Sequence, residues 1–115
     1  MNIVDKTYED QRVILHGNSY RNCTFKNCEL VYDGDRSPTF HNNEFVDSVF
    51  VFSDAALRTL YFIGNIYHAG EGGQEVIENL LAEIKGGAIH GHEARTIIPP
   101  TASHSLGQAG PGVSH

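Results

Sequence analysis

The chain has 115 residues, no Trp, 40% hydrophobic residues and a formal net charge of −6. This length has room for one small domain, and the acidic balance disfavours direct binding to nucleic acid or to an anionic membrane. The first residues lack the basic and long apolar segments of a secretory signal, and no run approaches the roughly 18 apolar residues of a membrane span. We therefore predict a cytoplasmic protein that does not enter a membrane.

A five-residue repeat runs through residues 15–53. Large apolar side chains occupy seven of the eight positions in this series, which are Leu15, Tyr20, Phe25, Leu30, Asp35, Phe40, Phe45 and Phe50. Small or polar side chains stand two positions earlier in most units, at Asn18, Cys23, Cys28, Asn43 and Ser48. A strand alternates every two residues and a helix repeats every 3.6, so neither produces a period of five. We predict that the large residues and the two cysteines point inward and form the structural core.

A second repeat appears when the chain is compared with itself at a shift of twenty residues. Tyr20 then aligns with Phe40, and Phe25 aligns with Phe45. A chain that turns a corner every five residues closes a four-sided coil after twenty, and the next coil supplies the other half of its core. The sequence thus predicts a short β-solenoid of about two coils, with the turn-rich segment 33–38 as a loop. An antiparallel meander, with strands near 11–15, 23–32 and 44–52, is the alternative.

Two helices are predicted after the repeats. Asp54 is a suitable N-cap for a largely apolar helix over 55–67, glycines at 70, 72 and 73 break that helix, and a second amphipathic helix covers 74–84. We expect residues 54–84 to form a helical cap on one domain that spans 1–84. Residues 85–115 are rich in Gly, Pro, Ser and His without periodicity, and we predict a disordered tail.

The repeats resemble those of a known family. The segments "YRNCTFKNCEL" and "FHNNEFVDSVF" are similar to the pentapeptide repeat, which has Leu or Phe at the centre of each unit and a small residue two places before it. The resemblance implies a right-handed, quadrilateral β-helix, and so a mainly β fold with C-terminal α structure. Asn18, Asn43 and Asp35 depart from the repeat.

Chemically active residue types are present, but their spacing does not define a site. A catalytic thiol needs a lowered pKa from a helix N-terminus or a paired base, whereas the repeat already explains Cys23 and Cys28 as core residues. His90 and His92, with His104 and His115, lie in the predicted tail, where nothing orients them as metal ligands. We therefore predict no catalytic residue, no cofactor and no metal, and we leave an enzyme as the least supported hypothesis.

The function predicted from the sequence is a non-enzymatic protein-interaction or scaffold module. The apolar helix over 55–67 has surplus apolar residues, and Tyr61, Ile63 and Tyr67 are the interaction candidates. Their partner is a second copy in a homodimer formed through the helices, or another protein, unless the second helix covers them all. The alternative function is a small acidic inhibitor of a DNA-handling protein such as a topoisomerase. It follows from the resemblance, because some pentapeptide-repeat proteins mimic duplex DNA and dimerise through a C-terminal helical cap.

Overall fold

The computed structural model describes residues 1–99 and divides the chain into two units. The first unit is Met1–Thr59, and the second begins at Leu60. The predicted tail therefore lies outside the described residues from position 100 onward. Residues 86–99 carry no helix or strand.

The first unit is built from short strands in three parallel sheets. Its nine described strands are β1 (Asn2–Val4), β2 (Thr7–Glu9), β3 (Arg12–Ile14), β4 (Ser19–Arg21), β5 (Thr24–Lys26), β6 (Glu29–Tyr32), β7 (Thr39–His41), β8 (Glu44–Val46) and β9 (Val49–Phe52). The sheets have the orders β1-β4-β7, β2-β5-β8 and β3-β6-β9. Each pass of the chain contributes one strand to every sheet, so the chain makes three passes. This parallel stacking is compatible with a short solenoid and is incompatible with the antiparallel meander.

The number of passes corrects the sequence prediction of about two coils. The repeat begins with Ile3, which pairs with Tyr20 at an offset of seventeen residues, whereas Tyr20 pairs with Phe40 at an offset of twenty. The first pass escapes a search at one fixed period because β3 and the connection 15–18 are together three residues shorter than β6 and the connection 33–38 of the second pass. Each pass has three strands.

One inward residue from each strand forms three columns, and the inward residues of β3, β4, β5 and β6 are buried in the core of the first unit. The three inward columns are Ile3, Tyr20 and Phe40; Tyr8, Phe25 and Phe45; and Val13, Leu30 and Phe50. Phe25 is 0% exposed, and its ring stacks between Tyr8 at 5.1 Å and Phe45 at 5.2 Å between ring centres.

The structure agrees with the predictions for Leu15 in the core and for Asp35 in the loop 33–38, although neither residue is on a strand. Leu15 is buried as predicted, but it follows β3 and its N–H donates to the carbonyl of Val31. Its five-residue distance from Tyr20 is therefore a coincidence. Asp35 lies in the exposed loop after β6, where its N–H donates to the side chain of Asp33 at 3.0 Å.

The corners between strands explain the repeated asparagines and aspartates. Six corner residues have positive φ angles between 49° and 57°, and they are Asp5, Asp10, Asn22, Asn27, Asn42 and Asp47. Asn and Asp adopt this left-handed conformation more readily than other side chains. The corners also bond to one another between passes, since Asn42 donates to Asn22 and Asn27 donates to Asp10, each at 2.8 Å. The repeat therefore selects a corner residue as well as a core residue.

The small side chains before each central residue satisfy backbone groups in the neighbouring pass. Asn43 accepts from the N–H of Cys23 at 2.8 Å and donates to the carbonyl of Tyr20 at 3.0 Å. Ser48 acts in the same way, accepting from the N–H of Cys28 at 3.1 Å. A buried backbone group without a partner is costly, so these polar residues are structural at positions where the family pattern favours a small apolar one.

The helices are α1 (Asp54–Tyr67), which continues from the first unit into the second, and α2 (Glu71–Lys85). The sequence predicts Gly72 and Gly73 to lie between the helices, but both are inside α2. Gly73 is needed there, because a Cβ at this position would stand 1.8 Å from the carbonyl oxygen of Ile66 on α1. The helices as a cap on the strands stay a prediction, and only the mainly β fold with two C-terminal helices is established.

Candidate interaction surfaces

The last pass of the first unit exposes three phenylalanines. Phe40, Phe45 and Phe50 are 36%, 41% and 53% exposed, although the repeat predicts them in the core. Their ring centres lie 5.6–6.0 Å apart, so they form one continuous surface, which we call the terminal aromatic face. They remain exposed because β7, β8 and β9 are the last strands of their sheets, and no further pass is stacked on them within the described residues.

The opposite end of the strand stack is less apolar. Its central residues are Ile3, Tyr8 and Val13, of which Val13 is buried and the other two are half-buried. The ammonium group of Lys6 lies 5.1 Å from the centre of the Tyr8 ring, within the range of a cation–π contact. The two ends therefore differ, because a cation lies over the one aromatic ring at the first end, whereas three exposed rings form the last end.

Helix α1 carries the second apolar surface. Its residues Leu57, Leu60, Tyr61, Gly64 and Tyr67 follow helical spacing on one face, which we call the α1 stripe. The four large side chains of the stripe are exposed, and Tyr61 is the most exposed of them, at 66%. Added atoms at Gly64 would meet open space.

The three interaction candidates predicted on α1 do not lie on the same face of the helix. Tyr61 and Tyr67 are exposed on the α1 stripe. Ile63 instead faces α2, where it packs against the buried residues Val76 and Ile77. Sequence periodicity alone did not assign these faces, because α1 is apolar on most of its circumference.

A groove of about 290 Å³ lies in the second unit, between α1 and α2. Its walls are apolar and include Phe62, Ile66 and Leu80, and the segment after α2 adds Ile98. Thr96, also in the lining, donates to the carboxylate of Glu83 at 3.1 Å. Its hydroxyl group is therefore engaged within the unit.

The outward rows of the sheets carry mixed charges. One row places Arg12 over Glu29, with an ion pair at 2.9 Å, and ends at Val49. A neighbouring row alternates an acidic, a basic and an apolar residue, at Glu9, Lys26 and Val46. Residues 1–54 carry nine acids and five bases, a net charge of −4, but these rows do not repeat an acid at each level. They therefore lend no support to a duplex mimic, which stays a prediction.

The groups with possible chemistry are distributed without a shared site. Cys23 and Cys28 are buried, and their thiols donate to backbone carbonyls of Arg21 and Lys26 at 3.5 and 3.3 Å. Burial raises the pKa of Tyr20 above its ordinary value, while the hydrogen bond from the Asn18 amide acts in the opposite direction. Among residues 1–99, no group of three or more His, Cys, Asp or Glu side chains is arranged to hold a metal ion.

Comparisons with protein-family models, with curated proteins and with solved structures gave no match. The two helices of the described part of the chain are too short or too polar to cross a membrane. The candidate function consequently depends on the surfaces described above.

Proposed function

We propose that the chain is a non-enzymatic protein-interaction module that self-associates. In this proposal the three passes close into a right-handed β-helix of the pentapeptide-repeat kind, and the protein acts in the cytoplasm. The parallel stacking of strands, the inward columns and the five-residue corners support such a closed coil.

The observation that carries the proposal is that each unit exposes a continuous apolar surface. The terminal aromatic face belongs to the first unit, and most of the α1 stripe belongs to the second. Isolated apolar side chains at a surface are normal, but contiguous ones indicate contact with another molecule. Burial of either surface by a protein partner removes it from water and supplies the driving force for association.

The sequence analysis assigns the homodimer to the helices, and Tyr61→Glu tests that assignment. A carboxylate buried in an apolar contact costs several kcal/mol, which is enough to abolish a micromolar association. Light scattering reports the mass of the full chain, and far-UV circular dichroism reports its fold. Thr59→Glu is the matched control, because it adds the same charge to an exposed position on another face of the same helix.

The expected mass of the wild-type chain at about 100 μM is that of a dimer, since this concentration exceeds a micromolar dissociation constant. A monomer at that concentration would contradict self-association. A dimer that Tyr61→Glu leaves intact would keep the proposed function but remove the helices as its contact.

A further inference from the structure

We propose that a second copy of the chain covers the terminal aromatic face, so that two strand stacks join end to end through their last passes. This inference rests on the proposed self-association and assigns it to a surface that the sequence places in the core. It differs from a dimer through the helices in the residues that it buries.

The rings of the last pass continue stacks that already exist within the chain. Phe45 stacks on Phe25 with an angle of 7° between the ring planes, and Phe40 stacks on Tyr20 with an angle of 16°. Phe25 has a ring on both sides, whereas Phe45 has a stacked ring only on its inner side among the described residues. A second copy offers rings of the same kind at the same spacing, and it therefore extends the packing that stabilises each chain.

The difference between the two ends selects a closed dimer over an open polymer. A head-to-tail contact would place the aromatic face against Tyr8, where the Lys6 ammonium lies over the ring and would lose water. A contact between two aromatic faces avoids this cost. Because the same surface meets itself, the contact has two-fold symmetry and ends at two chains.

Two polar residues of the last pass, Asn43 and Ser48, do not obstruct this contact. Asn43 and Ser48 donate to the carbonyls of Tyr20 and Phe25 in the preceding pass, and their side-chain oxygens accept from backbone N–H groups there. The side chains of Asn43 and Ser48 therefore keep their hydrogen bonds within the chain when an apolar interface covers them. Strands β7, β8 and β9 are the edge strands at this end of the three sheets. Their outer backbone groups can form hydrogen bonds with the second copy.

The exposed area fits a weak dimer. Phe40, Phe45, Phe50 and the neighbouring Phe52 together expose about 350 Å² of side chain per copy, if a phenylalanine contributes about 200 Å² when fully exposed. Two copies therefore contribute about 700 Å². Specific interfaces begin near 1,000 Å² in total, so we expect micromolar rather than nanomolar affinity.

The test compares dimerisation of the full chain with that of two variants, using sedimentation equilibrium between about 1 and 100 μM. Phe50→Glu changes the most exposed ring of the face, and we expect it to weaken dimerisation by at least about 100-fold. Tyr61→Glu places the same charge on the α1 stripe, and we expect its dissociation constant to stay within about threefold of wild type. If Phe50→Glu still dimerises, or if Tyr61→Glu alone dissociates the dimer, the inference is wrong. The proposed self-association would remain supported in either case. A wild-type monomer would overturn both.

A second measurement covers the case in which Phe50→Glu does not fold. Amide hydrogen exchange of the wild-type chain is measured at about 1 μM and at about 100 μM. We expect slower exchange of β7–β9 amides at the higher concentration, with β1–β3 unchanged. Exchange of the β7–β9 amides that is the same at both concentrations would overturn the inference.

Discussion

Removal of the Phe25 ring is the most severe single test of the inward columns. The ring is 0% exposed and takes part in four aromatic pairs, of which those with Tyr8 and Phe45 are stacked, so Phe25→Ala removes all four pairs and leaves a cavity. Emptying such a site costs about 3–5 kcal/mol. The first unit has 59 residues, and ordinary domains of that size have unfolding free energies of about 3–9 kcal/mol. The variant should therefore lose most of its stability at 25 °C.

Urea unfolding followed by far-UV circular dichroism measures this loss. The experiment is run at about 1 μM, where a micromolar dimer is mostly dissociated and contributes little to stability. Phe25→Leu retains an apolar side chain and should cost less than Phe25→Ala. Val4→Ala alters an exposed strand position and should change the unfolding free energy by about 0.5 kcal/mol or less. A loss below about 1 kcal/mol for Phe25→Ala would refute a core built from stacked rings.

Three further predictions concern backbone contacts and pH. Gly73→Ala should disrupt the α1–α2 contact through its clash with the Ile66 carbonyl, whereas Gly64→Ala should raise helix stability by about 1 kcal/mol, as thermal unfolding will show. Asn43→Ala should cost about 2 kcal/mol in urea unfolding because two backbone groups lose their partner, and Asn43→Asp, which keeps the acceptor, should cost less. The raised pKa of Tyr20 means that the folded chain retains this proton more strongly than the unfolded chain. Its stabilising contribution is therefore complete below about pH 10 and is lost as pH rises through the raised pKa, which unfolding midpoints measured against pH will test.

The sequence predicted the second and third passes because their equivalent residues differ by a constant twenty positions. Phe25 and Phe45 fall on one column for that reason, and the structure pairs them. The first pass was missed because the shorter segment that leads out of it changes the offset between equivalent residues to seventeen. Tyr8 therefore pairs with Phe25 but does not lie on the five-residue series that contains Phe25. A search that allowed the connection to vary in length would have found it. Asp5 and Asp10 were a further signal in the sequence, since Asn or Asp also occupies the equivalent corners of the later passes, where the φ angle is positive.

The candidate surface was less accessible to sequence analysis than the fold. The repeat identifies inward residues, but it carries no information on which pass is the last. Phe45 has the same local sequence signal as Phe25, and only the absence of a following pass among the described residues exposes it. For α1, the apolar residues surround the helix, so Ile63 and Tyr61 were equivalent candidates until the position of α2 separated them.

The most direct measurement is an isotope-filtered nuclear Overhauser experiment on an equal mixture of labelled and unlabelled chains. It detects only contacts between different copies, and the aromatic rings of the two surfaces differ in residue type. The account predicts intermolecular contacts between ring protons of Phe40, Phe45 and Phe50 in the two copies. Intermolecular contacts confined to Tyr61 and Tyr67 would contradict it, because they would place the dimer on the α1 stripe and leave the terminal aromatic face without a partner.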